Sequence, residues 1–221
     1  MFTFYGTKKK LAKYYPHPQY DIIIEPFAGA AQYSLYGENW QKQILLLDKD
    51  TKIISIWNYL IKALPVDVLA LPDLKEGDNV DSFKQLSQEE NWLIGFCINP
   101  GSACPKKTAR ARSRWNKNKL DIAGNLYKIK HWKAILGDYV DVPNQLATWF
   151  IDSPYQYGGE YYRINNSKLD YPKLAEWCLN REGQVIVCEN SKADWLPFTP
   201  LVELNGQLHK TMEVIYHKEA K

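Results

Sequence analysis

The chain has 221 residues, which suits one domain or one domain carrying an insertion. With 45% apolar and 24% charged residues, its composition excludes disorder, collagen and coiled coil as the main architecture. No stretch approaches the roughly 20 apolar residues of a membrane span. The first fifteen residues lack the apolar core and cleavage site of a secretory signal. No membrane partner and a cytoplasmic location are therefore expected. The net charge of +3 hides an asymmetry. Residues 105–133 hold ten Lys and Arg against one acid, Asp121, a net +9 that leaves −6 on the rest. Such a basic segment on an acidic body points to a polyanion partner. A solvated surface helix would give the same run. The four cysteines form no Cys-x-x-Cys pair, so zinc is not expected and free thiols are.

In chain order, residues 21–25 (DIIIE) are an apolar run ending in an acid, read as a buried parallel strand. Residues 44–48 (ILLLD) repeat that pattern. Asp50 can then cap a helix whose stripe is Ile53, Ile54, Trp57, Leu60, Ile61 and Leu64, stopped by Pro65. Strand, turn, helix, strand, helix is the start of a βαβ sheet. Residues 65–85 read as irregular. Ser87 and Glu90 match a capping box that opens a helix to about Ile98. Leu120, Ile122, Leu126, Ile129, Trp132 and Ile135 continue near helical spacing. Residues 65–135 are thus expected to be a mostly helical insertion, with 1–64 and 136–221 forming the catalytic domain. The sheet resumes with 146–152 and 184–190, around a helix at 171–180. Asn205-Gly206 between two strand-like runs indicates a hairpin-type edge. The fold class expected is α/β, a Rossmann-like sheet with helices on both faces.

Several strands end in an acid: Glu25, Asp48, Asp152 and Glu189. Open parallel sheets bind ligands at the carboxyl ends of their strands. Acids there can accept hydrogen bonds from the hydroxyl and amino groups of a nucleoside-like cofactor. After Glu25, the small residues Ala28, Gly29 and Ala30 allow close approach of a ligand to the backbone; a plain tight turn would read the same way. This is neither Gly-x-Gly-x-x-Gly nor a P-loop. Asp152-Ser153-Pro154-Tyr155 joins an acid, a turn carbonyl and an aromatic ring. Such a set can hold a flat heterocycle by its exocyclic amine.

Taken in order, these motifs resemble a Dam-like, class D12, S-adenosylmethionine-dependent DNA adenine-N6 methyltransferase. Phe4-Tyr5-Gly6-Thr7-Lys8 is similar to that family's N-terminal cofactor-lining segment. Glu25-Pro26-Phe27-Ala28-Gly29-Ala30 is similar to its cofactor loop. Asp48 stands where the family binds the ribose hydroxyls. Asp138 stands where it contacts the cofactor's adenine, and Asp152 to Tyr155 resembles the catalytic tetrapeptide. Two departures stand out. Ser153 replaces a proline while keeping the carbonyl, and the loop ends Gly29-Ala30-Ala31, which asks for a negative φ at Ala30.

The resemblance implies S-adenosylmethionine as cofactor, no metal, and DNA as partner of a monomer. The source would be a solitary phage or restriction-modification enzyme. Asp152, Ser153, Pro154 and Tyr155 would be catalytic. Tyr5, Gly6, Lys8, Glu25, Pro26, Phe27, Ala28, Gly29, Ala30, Asp48 and Asp138 would hold the cofactor. Lys106, Lys107, Arg110, Arg112, Arg114, Lys117 and Lys119 would meet phosphates. Trp115 is expected to be a core anchor. The loop 156–163 could close over a flipped base. A nucleic-acid-binding relative without turnover, or a methyltransferase of RNA or cytosine N4, would carry much the same motifs.

Overall fold

In the computed structural model, residues 1–219 are described apart from 3, 100, 112, 162–166, 168 and 206–209. Seven strands form one sheet: β1 (Ile22–Glu25), β2 (Gln43–Asp48), β3 (Lys133–Leu136), β4 (Ala147–Ile151), β5 (Gly183–Asn190), β6 (Thr199–Asn205) and β7 (Lys210–Lys218). Their order is β3-β2-β1-β4-β5-β7-β6. The first five are parallel, and β7 runs antiparallel between β5 and β6. The expected Rossmann-like α/β sheet is what the chain forms.

The apolar runs explain this sheet. Strands covered on both faces need apolar residues at consecutive positions, because neighbours point to opposite sides. Ile23, Leu46, Phe150 and Ile186 pack on one face, while Ile24, Leu47, Trp149 and Val185 pack on the other. The first face is covered by α2 (Thr51–Lys62), on which α4 (Gln88–Ile98) packs, with α5 (Trp115–Ala123) against α4. The second is covered by α6 (Tyr171–Leu179), which buries Leu174, Ala175 and Cys178. Helices therefore lie on both faces. The cysteines form no disulfide among the described residues: the Cys97, Cys178 and Cys188 thiols are buried, and that of Cys104 is exposed.

Local signals hold where the chain supplies its own caps. Asp50 accepts from the Lys52 N–H at 2.9 Å and starts α2. Ser87 and Glu90 exchange both bonds of a capping box. The region after Pro65 is less irregular than its composition implies. Pro65 ends α2 and also opens a short helix α3 (Pro65–Leu69), where its fixed φ and missing N–H do no harm.

One boundary is corrected. Helical spacing through Ile135 does not yield a helix that far. Helix α5 ends at Ala123, a 3-10 turn spans Leu126–Ile129, and Lys133–Leu136 is strand β3, paired with β2. The sheet thus resumes at Lys133, well before the run at 146–152 expected to resume it. As an edge strand β3 leaves Ile135 and Leu136 exposed, so it lacks the buried run that marks the inner strands. Strands β6 and β7 form the expected antiparallel edge, and the Gly206 side of that turn lies outside the described residues. Among the described residues no helix is long and apolar enough to cross a membrane.

Candidate active site

The sheet order reverses direction at β1, which lies between β2 and β4. Crevices at such points, outside the carboxyl ends of strands, are where ligands bind in open α/β sheets. A cavity of about 300 Å³ opens there. All eleven residues proposed above for the cofactor line it, from Tyr5 to Asp138. Asp152 and Pro154 line it too, while Ser153 and Tyr155 do not.

The loop after β1 gets its shape from its neighbours. The Gly29 N–H donates to Asp48 Oδ2 at 3.1 Å, and the indole of Trp57 donates to the Gly29 carbonyl at 2.9 Å. The Ala28 N–H donates to the Leu47 carbonyl at 2.8 Å. Gly29 has φ +44, and a β-carbon on it would lie 3.3 Å from the Phe4 ring. Glycine is needed at that position for both reasons. Ala30 is not in the left-handed region, so the expectation of a non-positive φ there holds; Ala31 is, at φ 45. The carboxylate of Asp48 also accepts the Asp50 N–H at 2.8 Å. Asp138 pairs with Lys49, and its buried Oδ1 has no hydrogen-bond partner among the described residues.

Glu25 ends β1 almost wholly buried. Its Oε1 accepts the Ser34 N–H at 2.9 Å. Burial pushes its pKa up to about 8 despite that bond.

At the floor of the cavity, Lys8 and Asp152 meet. Gly6, at φ 71, turns the N-terminal segment back. The buried Lys8 ammonium then lies 2.7 Å from Asp152 Oδ1 and 4.4 Å from the centroid of the Tyr155 ring. Burial pushes the Asp152 pKa up, Lys8 pulls it back, and it rests at about 6. The Tyr171 hydroxyl donates to the Pro154 carbonyl at 2.8 Å and pins the turn. Ser153 is fully buried, and its hydroxyl finds no partner among the described residues.

Several contributors were not singled out from the sequence. The Tyr155 hydroxyl donates to Glu213 Oε1 at 2.7 Å, and the Tyr15 hydroxyl donates to the same oxygen at 2.6 Å. Glu189, expected as a strand-end acid, holds the next loop. Its Oε1 accepts the Gln156 N–H at 2.6 Å and the Trp195 indole at 3.2 Å. Burial raises its pKa to about 7. The loop after the Asp152–Tyr155 turn is thus tied down at its start; residues 162 and 163 lie outside the described part.

The basic segment is pinned by its backbone and open at its side chains. Lys106 N–H donates to the Gly95 carbonyl of α4, and Val80 N–H donates to the Lys107 carbonyl. Lys106, Lys107, Arg110, Arg114 and Lys117 are exposed, with Lys107 paired to Asp81 at 2.6 Å. Arg112 lies outside the described residues. Lys119 is corrected: it is buried, 2.9 Å from the Leu71 carbonyl and 2.5 Å from Asp73, so it ties α5 to the chain before it and faces no partner. Trp115 is fully buried and donates to the Pro72 carbonyl at 2.8 Å, as a core anchor does.

No protein-family model matches the chain, and no curated protein matches it. Twenty-nine solved chains do match. One of them is yhhF of Escherichia coli, provisionally described as a methyltransferase. It is 10% identical, with a TM-score of 0.35, covering 90% of this chain and 76% of that one. A likeness this distant bears on neither substrate nor chemistry.

Proposed function

We propose that the protein transfers a methyl group from S-adenosylmethionine to the N6 amino group of adenine in DNA. The observation that carries this reading is the cavity at the point where the strand order reverses. It gathers the Tyr5–Lys8 segment, the loop after Glu25, Asp48, Asp138 and Asp152. The residues fit such a cofactor. The Gly29 cradle has no room for a side chain without displacing Phe4. Among the described residues the buried Asp138 Oδ1 lacks a hydrogen-bond donor, which an exocyclic amine would supply. Asp48 would take the ribose hydroxyls, and Phe27, stacked on Tyr139 at 5.5 Å, would flank the adenine. When bound, S-adenosylmethionine supplies an electrophilic methyl on a sulfonium.

The chain's own residues then handle the acceptor. A purine amine is a poor nucleophile because its lone pair is delocalised into the ring. Asp152 accepts a hydrogen bond from one N–H and the Ser153 carbonyl accepts from the other. The lone pair is thereby turned out of the ring plane. Lys8 keeps Asp152 ionised near neutral pH, so it accepts rather than donates. Tyr155 offers its ring face to a base drawn out of the helix. Positioning and preorganised charge carry the rate.

DNA as the acceptor is supported by the exposed Lys106, Lys107, Arg110, Arg114 and Lys117, which lie on one pinned segment between the cofactor loop and the catalytic turn. The test is methyl transfer from labelled S-adenosylmethionine to unmethylated DNA and RNA, with mass analysis of the digested nucleosides. N6-methyldeoxyadenosine is expected. N4-methyldeoxycytidine or a methylated ribonucleoside would move the acceptor, and no product from any nucleic acid would overturn the reading. Asp152→Ala should cut transfer by about 10³-fold, the scale of losing a preorganised electrostatic partner. Calorimetric binding of S-adenosylmethionine should survive that change.

A further inference from the structure

Glu213 lies on β7, in register with Asn190 of β5 and Val202 of β6, far in sequence from the catalytic turn. It is buried, with 6% of its surface exposed. Its Oε1 takes hydrogen bonds from two phenols, Tyr155 at 2.7 Å and Tyr15 at 2.6 Å. Tyr15 in turn packs edge-on against Phe150 of β4, with ring centroids 5.0 Å apart. The network therefore joins the N-terminal segment, the strand before the catalytic turn, the turn itself and the antiparallel strand.

An aromatic ring on a turn can rotate about two side-chain bonds. A hydrogen bond from its far end to a fixed carboxylate removes that freedom. It also commits the Tyr155 hydroxyl to Glu213. The ring face is left toward the Lys8 ammonium, 4.4 Å from its centroid, beside Asp152.

We propose that Glu213 is the positioning residue of the site, holding the Tyr155 ring at the angle at which a planar base stacks beside Asp152. This rests on the methyl-transfer reading above. It adds a residue that touches neither cofactor nor acceptor. Glu213→Leu removes the acceptor oxygen. Glu213→Gln keeps an acceptor oxygen and so serves as the rescuing variant. Tyr155→Phe keeps the ring and loses only the hydroxyl.

On unmethylated DNA, Glu213→Leu and Tyr155→Phe should each lower kcat by about 10- to 100-fold, the scale of a misplaced reacting group. The KM for S-adenosylmethionine should not move, and Glu213→Gln should recover most of the rate. The double variant Glu213→Leu/Tyr155→Phe should fall no further than Glu213→Leu alone, because the Tyr155 hydrogen bond is already lost there. Additive losses, or a Tyr155→Phe enzyme as fast as the parent, would overturn the proposal. Tyr155→Phe also keeps the test alive should Glu213→Leu fail to fold. A second measurement separates this from failure of the reading itself. Proton NMR of the parent should show a slowly exchanging tyrosine hydroxyl that disappears in both Tyr155→Phe and Glu213→Leu. If that signal is present and the parent methylates nothing, the reaction reading fails while the hydrogen bond stands. If no hydroxyl signal is lost in Tyr155→Phe, Glu213 does not hold the ring.

Discussion

At the cavity floor Glu25 and Asp152, and beside them Glu189 at the end of β5, are carboxyl groups withdrawn from water, and burial raises the pKa of each. In the helical insertion Lys106, Arg110, Arg114 and Lys117 stand in solvent on a backbone pinned by its own hydrogen bonds. The floor holds its carboxyl groups by particular partners: the Ser34 N–H, the Lys8 ammonium, the Gln156 N–H. The insertion needs no such partners for its charges, because water solvates them. A change at the floor should therefore disturb stability or chemistry. A change among the exposed cations should disturb only association with a polyanion.

Glu25 gives the largest expected effect on stability. Its carboxyl moves from 4.5 to about 8 on folding, chiefly by burial. Between those values the folded chain keeps a proton that the unfolded chain has released. Stability from this group is therefore fully present below about pH 4.5 and falls as pH rises through about 8. The slope is at most about 1.4 kcal/mol per pH unit. Glu25→Gln keeps an oxygen for the Ser34 N–H and cannot ionise. Thermal unfolding followed from pH 5 to 9 should show a smaller loss of Tm in Glu25→Gln than in the parent. Equal losses would place the titrating group elsewhere on the floor.

The insertion should behave in the opposite way. Alanine at Arg110, Arg114 and Lys117 together should leave unfolding free energy within about 0.5 kcal/mol per site, as surface substitutions do. Each cation removed from a DNA phosphate should flatten the salt dependence of DNA affinity by about 0.9 in log–log slope. Fluorescence anisotropy with a mixed-sequence duplex across a salt series measures it. Affinity for S-adenosylmethionine should show little salt dependence. Lys119→Ala sharpens the contrast within the same helix: its buried ammonium ties α5 to Leu71 and Asp73, so its loss should lower Tm and leave the salt slope alone.

Much of the sheet could be read from the sequence because inner parallel strands must be apolar at consecutive positions. The runs at 21–25, 44–48, 146–152 and 184–190 meet β1, β2, β4 and β5. Edge strand β3 escaped, since two exposed apolar residues after Trp132 mimic a helical stripe. The cavity residues that follow strands in sequence could be read in the same way, because the fold puts strand ends together. Glu213 could not. Its role depends on an antiparallel register that brings β7 against a turn 58 residues away. Lys119 and Arg114 carry the same sign on the same segment, and only packing separates a buried tie from a solvated charge.

The smallest effect concerns backbone strain at the cavity loop. Ala31 sits at φ 45, ψ 46 and opens the four-residue helix α1 (Gln32–Leu35). A residue with a β-carbon is disfavoured there by roughly 1–2 kcal/mol. Glycine would relieve that strain. It would also free the unfolded chain, at about 0.4–1 kcal/mol, and forfeit a buried methyl worth about 0.8 kcal/mol. The three terms nearly cancel, so Ala31→Gly should lie within about 0.5 kcal/mol of the parent. Ala175, in the middle of α6, has no left-handed strain to release. Ala175→Gly there should cost about 1 kcal/mol or more. Urea unfolding of the two variants side by side isolates the strain, since the chemical change is identical. A loss at Ala31 as large as at Ala175 would mean that the loop relaxes with alanine in place and stores nothing at the cavity.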